Sequence, residues 1–85
     1  MRIIFTMHDL EEKFKTAIEE NRKYIAVKVL TPCGTELIVF DRRVFNKKLK
    51  YYQMTYDEFL NHKYNPNVRI INVDSADYME IFEVI

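Results

Sequence analysis

Hydrophobic residues recur every three or four positions over residues 7–21, which is the spacing of one face of an α-helix. Thr6 stands just before this pattern, and Asp9 follows it by three residues, the arrangement of a capping box. The pattern therefore predicts a first helix over residues 7–21. The apolar positions of this face are Met7, Leu10, Phe14, Ala17 and Ile18.

Two stretches rich in β-branched and aromatic residues, 24–31 and 36–41, predict a pair of strands. Between them, Pro32 suits the first central position of a type I turn, and Gly34 can take the positive φ of a bulge. The sequence therefore predicts a β-hairpin. Both faces of its strands carry apolar side chains, so the second face of the sheet is either partly covered or available to a partner.

A longer helix is predicted over residues 43–62, where apolar residues again step by three and four. Thr55 and Glu58 match a second capping box, which predicts a break or kink near Thr55. The sequence Asn65-Pro66-Asn67 is a stop signal. The residues predicted to share the buried face are Phe45, Leu49, Tyr52, Tyr56, Phe59 and Leu60.

Residues 68–73 predict a further strand, after which Asp74 or Ser75 is expected to cap a short final helix, with a terminal strand as the alternative. The first five residues are either a strand or a leader. The prediction is one α+β domain over residues 1–85, with a three- or four-stranded antiparallel sheet and two or three helices. The element order is αββαβα, or the ferredoxin-like βαββαβ if residues 1–5 form a strand.

Composition narrows the class of protein. In 85 residues, 48% are hydrophobic and twelve are Phe or Tyr, which excludes a disordered chain. A single cysteine excludes a disulfide scaffold, and no apolar run reaches the roughly 18–20 residues of a membrane span. The first residues are too short and too soon followed by acids to be a signal peptide. We therefore expect a cytoplasmic protein.

No arrangement of catalytic or metal-binding residues is evident in the sequence. Cys33 has no histidine near it in the chain, and one glycine cannot build a phosphate-binding loop. We therefore predict no catalytic residues, no cofactor and no enzymatic activity. His8, Cys33 and His62 are available metal ligands, but they lack the spacing of a zinc motif. No metal site is predicted, although convergence of these three residues in the fold stays open.

Thirteen basic and thirteen acidic residues give a net charge of zero, but they are unevenly distributed. Residues 42–50 contain five bases and no acid, whereas residues 70–85 contain four acids and no base. The basic segment makes a nucleic-acid-binding protein one alternative. The neutral total counts against it, because nucleic-acid-binding domains are usually basic as a whole.

The second predicted helix places two apolar residues, Tyr51 and Met54, among lysines on the side that faces solvent. Tyrosine, methionine and arginine are enriched at protein interfaces. This predicts a partner-binding surface, unless a third element, such as the last helix or the leader at Met1, covers Tyr51 and Met54. The predicted surface consists of Arg42, Arg43, Lys47, Lys50, Tyr51 and Met54.

Residues 23–29, 48–56 and 67–71 together resemble small helix–hairpin–helix–strand proteins of bacteriophages and prophages. Small α+β phage proteins of this size include anti-CRISPR proteins, which act by occupying a nuclease surface. The resemblance implies a non-enzymatic inhibitor of a type II CRISPR nuclease in a bacterial host cell, and it carries over no functional residue. Because this chain is neutral, it departs from the acidic anti-CRISPR proteins that mimic DNA, so docking on a protein surface is implied.

Two further readings stay open from the sequence. A small nucleic-acid-binding or zinc-binding regulatory protein is the alternative function. A homodimer through the second face of the sheet is also compatible with the sequence, because a core of this size supplies only about 3–5 kcal/mol of stability.

Overall fold

The computed structural model describes residues 5–78, which form two helices packed on one face of a three-stranded antiparallel sheet. The predicted α+β class is therefore confirmed. The strand order is β2-β1-β3, so β1 is the central strand. The elements are α1 (Met7–Glu19), β1 (Tyr24–Thr31), β2 (Gly34–Asp41), a 3₁₀ turn (Arg42–Val44), α2 (Phe45–Thr55) and β3 (Arg69–Ala76).

Helix α1 begins where the capping box predicts. The Thr6 hydroxyl accepts a hydrogen bond from the Asp9 amide at 3.4 Å, and the Asp9 carboxylate accepts one from the Thr6 amide at 2.9 Å. These contacts hold the pKa of Asp9 below its ordinary value. The helix ends at Glu19, two residues before the predicted end, and Asn21 then turns the chain with a φ of +57°.

The β1–β2 hairpin is confirmed as well. Its strands pair in register from Tyr24 with Asp41 to Thr31 with Gly34. Gly34 takes a φ of +121°, a conformation that a side chain would disfavour. The Thr31 hydroxyl fixes the turn, because it donates to the Gly34 carbonyl at 2.9 Å and accepts from the Cys33 amide at 3.2 Å.

The predicted second helix over residues 43–62 is too long. The observed helix α2 follows a 3₁₀ turn and ends at Thr55, near which the sequence predicts a break. In the loop that follows, the Asp57 carboxylate accepts hydrogen bonds from the amides of Phe59 and Asn61 at 2.9 and 3.0 Å. These bonds favour a turn over another helical residue.

This loop separates two residues that the helical pattern places together. Leu60 is fully buried and takes a φ of +62°, which is strained for a leucine. Its neighbour Phe59 is 50% exposed, so the prediction that Phe59 belongs to the core is wrong. Two contacts hold this strained backbone in place: the Leu60 side chain is buried in the core, and the Leu60 carbonyl accepts a hydrogen bond from the Ile70 amide at 2.9 Å.

The predicted cap of a final helix is also wrong. Asp74 and Ser75 lie inside β3, where they pair with Ala26 and Ile25 of the central strand. Pairing along β1 overrides the local capping signal. The rest of that predicted helix, after residue 78, lies outside the described residues. The predicted strand over residues 1–5 also lies outside them, except for Phe5, which packs against the core.

The core lies between the sheet and both helices. Alternate residues of β1 face the helices, and Phe14 of α1 is fully buried among aromatic rings from β2 and α2. On the opposite face, Ala26 and Ala76 form a small buried cluster with Tyr24 and Val39 at its side. The main core consists of Leu10, Phe14, Ala17, Ile25, Val27, Val29, Phe40, Phe45, Tyr52, Tyr56, Leu60, Ile70 and Val73.

The contrast between Phe14 and Phe59 gives a direct test of this packing. We expect Phe14→Ala to lower the free energy of unfolding by about 3–5 kcal/mol, since it removes a buried ring and leaves a cavity; this is as much as a core of this size supplies, so the variant should be largely unfolded without urea. Phe59→Ala should lower it by no more than about 0.5 kcal/mol, because half of that side chain is exposed. Urea denaturation followed by circular dichroism measures both. Equal losses for the two variants would contradict the packing described.

Candidate protein-binding surface on helix α2

The sequence-predicted partner-binding residues lie on the 3₁₀ turn and on one side of α2, and we call the six residues named above the α2 surface. Lys47, Lys50, Tyr51 and Met54 follow one another at helical spacings of three, one and three residues, so they share one face of the helix. The buried residue Tyr52 lies on the other side. The structure thus brings these four side chains together.

Tyr51 and Met54 are exposed to solvent, with relative accessible surfaces of 49% and 64%. No element within residues 5–78 covers them. The predicted alternative, in which the last helix or the leader at Met1 packs over this face, involves residues that lie outside the described part of the chain. Within the described residues, a tyrosine and a methionine are thus accessible on this side of α2, and both residue types are enriched at protein interfaces.

Tyr51 is held in place by its neighbours. Its ring contacts the ring of buried Tyr52 edge to face, with centroids 5.3 Å apart. The Lys48 ammonium lies 5.7 Å from the Tyr51 centroid and 5.9 Å from that of Phe40. One side of the Tyr51 ring is therefore occupied by a cation, and its position is set by the core beneath it.

Lys48 is a further candidate residue, which belongs to the basic segment 42–50 but not to the predicted binding set. Its half-buried side chain lies over both rings instead of extending into solvent. The signal that could have identified it is the three-residue spacing between Lys48 and Tyr51, because residues at this spacing are neighbours on a helix.

Arg43 differs from the lysines because its charge is already paired. The Asp41 carboxylate accepts hydrogen bonds from the Arg43 amide at 2.9 Å, from Nε at 3.0 Å and from a terminal guanidinium nitrogen at 3.3 Å. These contacts lower the pKa of Asp41 below its ordinary value. Asp41 thus caps the 3₁₀ turn and neutralises Arg43.

Arg42 also has an intramolecular role. Its guanidinium donates to the Asn21 side-chain oxygen at 3.0 Å, and its amide donates to the Lys23 carbonyl at 3.0 Å. It therefore links the start of the 3₁₀ turn to the connection between α1 and β1. Both arginines make contacts within their own chain, but Asn21 is neutral and leaves the charge of Arg42 unpaired, so within the described residues the free charge of the α2 surface comes from Arg42 and the lysines.

The lysines of α2 carry most of that free charge. Within the described part of the chain, no carboxylate oxygen lies within 4 Å of the ammonium group of Lys47, Lys48 or Lys50. Gln53, at the edge of the same helix, donates to Glu11 of α1 at 2.6 Å. The acids of α1 therefore border α2 without pairing with its lysines.

Below this surface, two buried tyrosines extend the aromatic packing toward the loop that follows α2. Tyr52 and Tyr56 have ring centroids 5.7 Å apart, and burial raises the pKa of both phenols. The Tyr56 ring in turn contacts His62, whose Nδ1 accepts the Tyr64 amide at 3.1 Å. These phenols stay protonated over the physiological range.

The three available metal ligands occupy different elements. His8 lies in the first turn of α1, Cys33 at the exposed tip of the hairpin, and His62 in the loop after α2. Among residues 5–78, no three His, Cys, Asp or Glu side chains come together in a way that could hold a metal ion.

Two shallow depressions border α1. The first, of about 380 Å³, is lined by residues that include Asp9, whose carboxylate is engaged by Thr6. The second, of about 240 Å³, lies at the start of α1 beside exposed Phe59. No helix within the described residues is long and apolar enough to cross a membrane.

Comparison with protein-family models, with curated proteins and with solved structures finds no match for this chain. The class of protein defined here is therefore a small α+β domain with an exposed basic and apolar helix face, and its function has to be argued from that face.

The Asp41–Arg43 pair can be tested by titration. We expect Arg43→Ala to raise the pKa of Asp41 part of the way toward its ordinary value of 3.8, because it removes the guanidinium hydrogen bonds to the carboxylate and leaves the amide hydrogen bond of residue 43 in place. Stability from this pair is present above that ordinary value and is lost as the pH falls through the lowered one. NMR titration of the Asp41 carboxyl measures the shift. Arg42→Ala is the control, and an equal shift in both variants would contradict the pairing.

Proposed function

We propose that this protein is a non-enzymatic binding protein whose α2 surface docks on a partner protein, and that this partner is a type II CRISPR nuclease that it inhibits. The observation that carries the first part is the exposure of Tyr51 and Met54 beside Lys47 and Lys50, which form no ion pair within residues 5–78. The second part rests on the resemblance of the central segments to small phage proteins.

A protein partner is supported over a nucleic acid by the state of the individual side chains. Nucleic-acid binding by an aromatic residue requires an open ring face on which a base can stack. Lys48 occupies one face of the Tyr51 ring and Tyr52 lies at its side, so one face at most is left for a base. Arg43, which would be suited to a phosphate, is held by Asp41. Tyr51 and Met54 are better suited to an apolar pocket on a protein.

The charge of the lysines indicates the chemistry of that pocket. Free ammonium groups around an apolar centre favour a partner surface with acidic groups at its rim, because complementary charge speeds association and orients the partner. Apolar contacts at the centre would then supply most of the affinity. Changing the lysines should therefore mainly slow association, whereas changing Tyr51 and Met54 should mainly lower the affinity.

The test is inhibition of DNA cleavage by a panel of purified type II CRISPR nucleases. We expect stoichiometric inhibition of at least one nuclease. Tyr51→Ala with Met54→Ala should raise the half-inhibitory concentration roughly thirtyfold, which corresponds to the loss of about 2 kcal/mol of interface energy. Lys47→Glu with Lys50→Glu should weaken inhibition and slow association, most strongly at low salt.

Matched controls change similar residues elsewhere. Tyr64→Ala removes a tyrosine that is 80% exposed, and Lys13→Glu with Lys15→Glu reverses two exposed lysines of α1. These variants should inhibit as the natural chain does. Full cleavage with every nuclease would contradict the nuclease partner. Inhibition that is unchanged in the Tyr51 and Met54 variant would contradict the α2 surface.

A salt titration separates the nucleic-acid alternative. We expect duplex DNA to bind no more tightly than the non-specific range of about 10⁻⁴–10⁻⁶ M, since the thirteen bases of the chain are balanced by thirteen acids. Fluorescence anisotropy with a labelled duplex measures this affinity from low to physiological salt. Tight binding that falls steeply with salt and is lost in Lys47→Glu with Lys50→Glu would favour a nucleic-acid-binding function instead.

A further inference from the structure

Strand β2 forms an open edge of the sheet. It lies outside β1 in the order β2-β1-β3, and it pairs with β1 through eight consecutive residues without a bulge. Its segment from Thr35 to Ile38 is exposed. Within residues 5–78 no strand or loop pairs with its outer side, so a row of backbone donors and acceptors faces solvent there.

This edge lacks the features that usually prevent strand pairing. Protected edges carry lysine, proline, a bulge or a covering loop. Residues 34–41 contain no lysine, arginine or proline, and Glu36 is the one charged residue between the ends of the strand. Leu37 and Ile38 are 42% and 39% exposed, and they point to opposite faces because side chains alternate along a strand.

The other edge, β3, is protected by comparison. Its pairing with β1 is interrupted by a register shift at Lys28 and Val29. The loop after α2 covers its first residues, since Asn61 forms a bridge with Arg69 and the Ile70 amide donates to the Leu60 carbonyl. The fold thus protects one edge and leaves β2 open.

We propose that two copies of this chain pair antiparallel through β2, so that the two sheets form one continuous six-stranded sheet. A two-fold axis perpendicular to the sheet keeps the helices of both copies on the same face. Directly opposed residues in an antiparallel pair point to the same face of the sheet, so a residue can lie opposite its own counterpart but not opposite the counterpart of its chain neighbour. The two-fold axis therefore passes between one residue of β2 and the same residue of the other copy. The exposed pair Leu37 and Ile38 supplies that residue.

The charges of β2 suit a second copy. With Ile38 facing itself, Leu37 faces Val39 and Glu36 faces Phe40 of the other copy. With Leu37 facing itself, Glu36 faces Ile38. In neither register does a carboxylate stand opposite another carboxylate, so the apolar side chains can pair across the junction without direct charge repulsion.

The test is sedimentation velocity of the full chain over a range of concentrations. We expect a reversible monomer–dimer equilibrium. Ile38→Lys and Leu37→Lys, made separately, should weaken the dimer by roughly a hundredfold or more, because lysine blocks edge pairing and places like charges close together at the junction. Ile18→Lys is the matched control, since Ile18 is 41% exposed on α1, and it should leave the dimer intact.

Hydrogen exchange of the natural chain gives a second measurement that needs no variant. Amides of β2 should become more protected as the concentration rises, whereas those of α1 and α2 should not change. A monomer at every concentration would overturn the proposal. So would a dimer that survives both lysine variants as folded proteins, or concentration-dependent protection located outside β2.

Discussion

The packing of the Phe14 ring is the contact on which the rest of the structure depends. Its centroid lies 5.8 Å from that of Phe40, 6.4 Å from Phe45 and 6.1 Å from Tyr52. One side chain of α1 thereby fixes β2 and both ends of α2. Aromatic rings at such distances attract each other beyond the area that they bury. In a domain with so small a core, this contact sets the orientation of α2 relative to the sheet.

That orientation determines which residues of α2 reach solvent. Because Phe45 and Tyr52 point toward Phe14, the opposite side of the helix, with Lys47, Lys50, Tyr51 and Met54, must face outward. These residues contribute little to the core, and their exposure is a consequence of the packing beneath them. Changes at Tyr51 or Met54 should therefore leave the fold intact, which makes them suitable for testing the proposed binding.

Local patterns predict much of the fold and of the candidate site. The capping box of Thr6, the hairpin at Gly34 and the exposed face of α2 all depend on residues a few positions apart. The exposure of Phe59 could not be predicted in this way, because it follows from a turn at Asp57 and a buried Leu60 that departs from helical geometry. Helical periodicity assumes that the helix continues.

The remaining errors arise from contacts between distant residues. Asp74 and Ser75 carry a plausible cap signal, but their pairing with β1 is non-local. The bond from Arg42 to Asn21 joins residues 21 positions apart, whereas the Asp41–Arg43 pair spans two positions and could have been anticipated. The sequence places both arginines in the predicted binding surface, whereas in the structure their side chains form hydrogen bonds within their own chain.

Although the net charge of the chain is zero, its basic side chains differ in whether they form an ion pair. Arg43 is neutralised by a carboxylate of its own chain, which costs little because both groups remain accessible to water. The lysines of α2 have no such partner among the described residues. A partner that supplies carboxylates would gain most from these lysines, since no internal ion pair has to be broken first. The apolar pair Tyr51 and Met54 lies among the same lysines, so attraction and burial would act at one place on the helix.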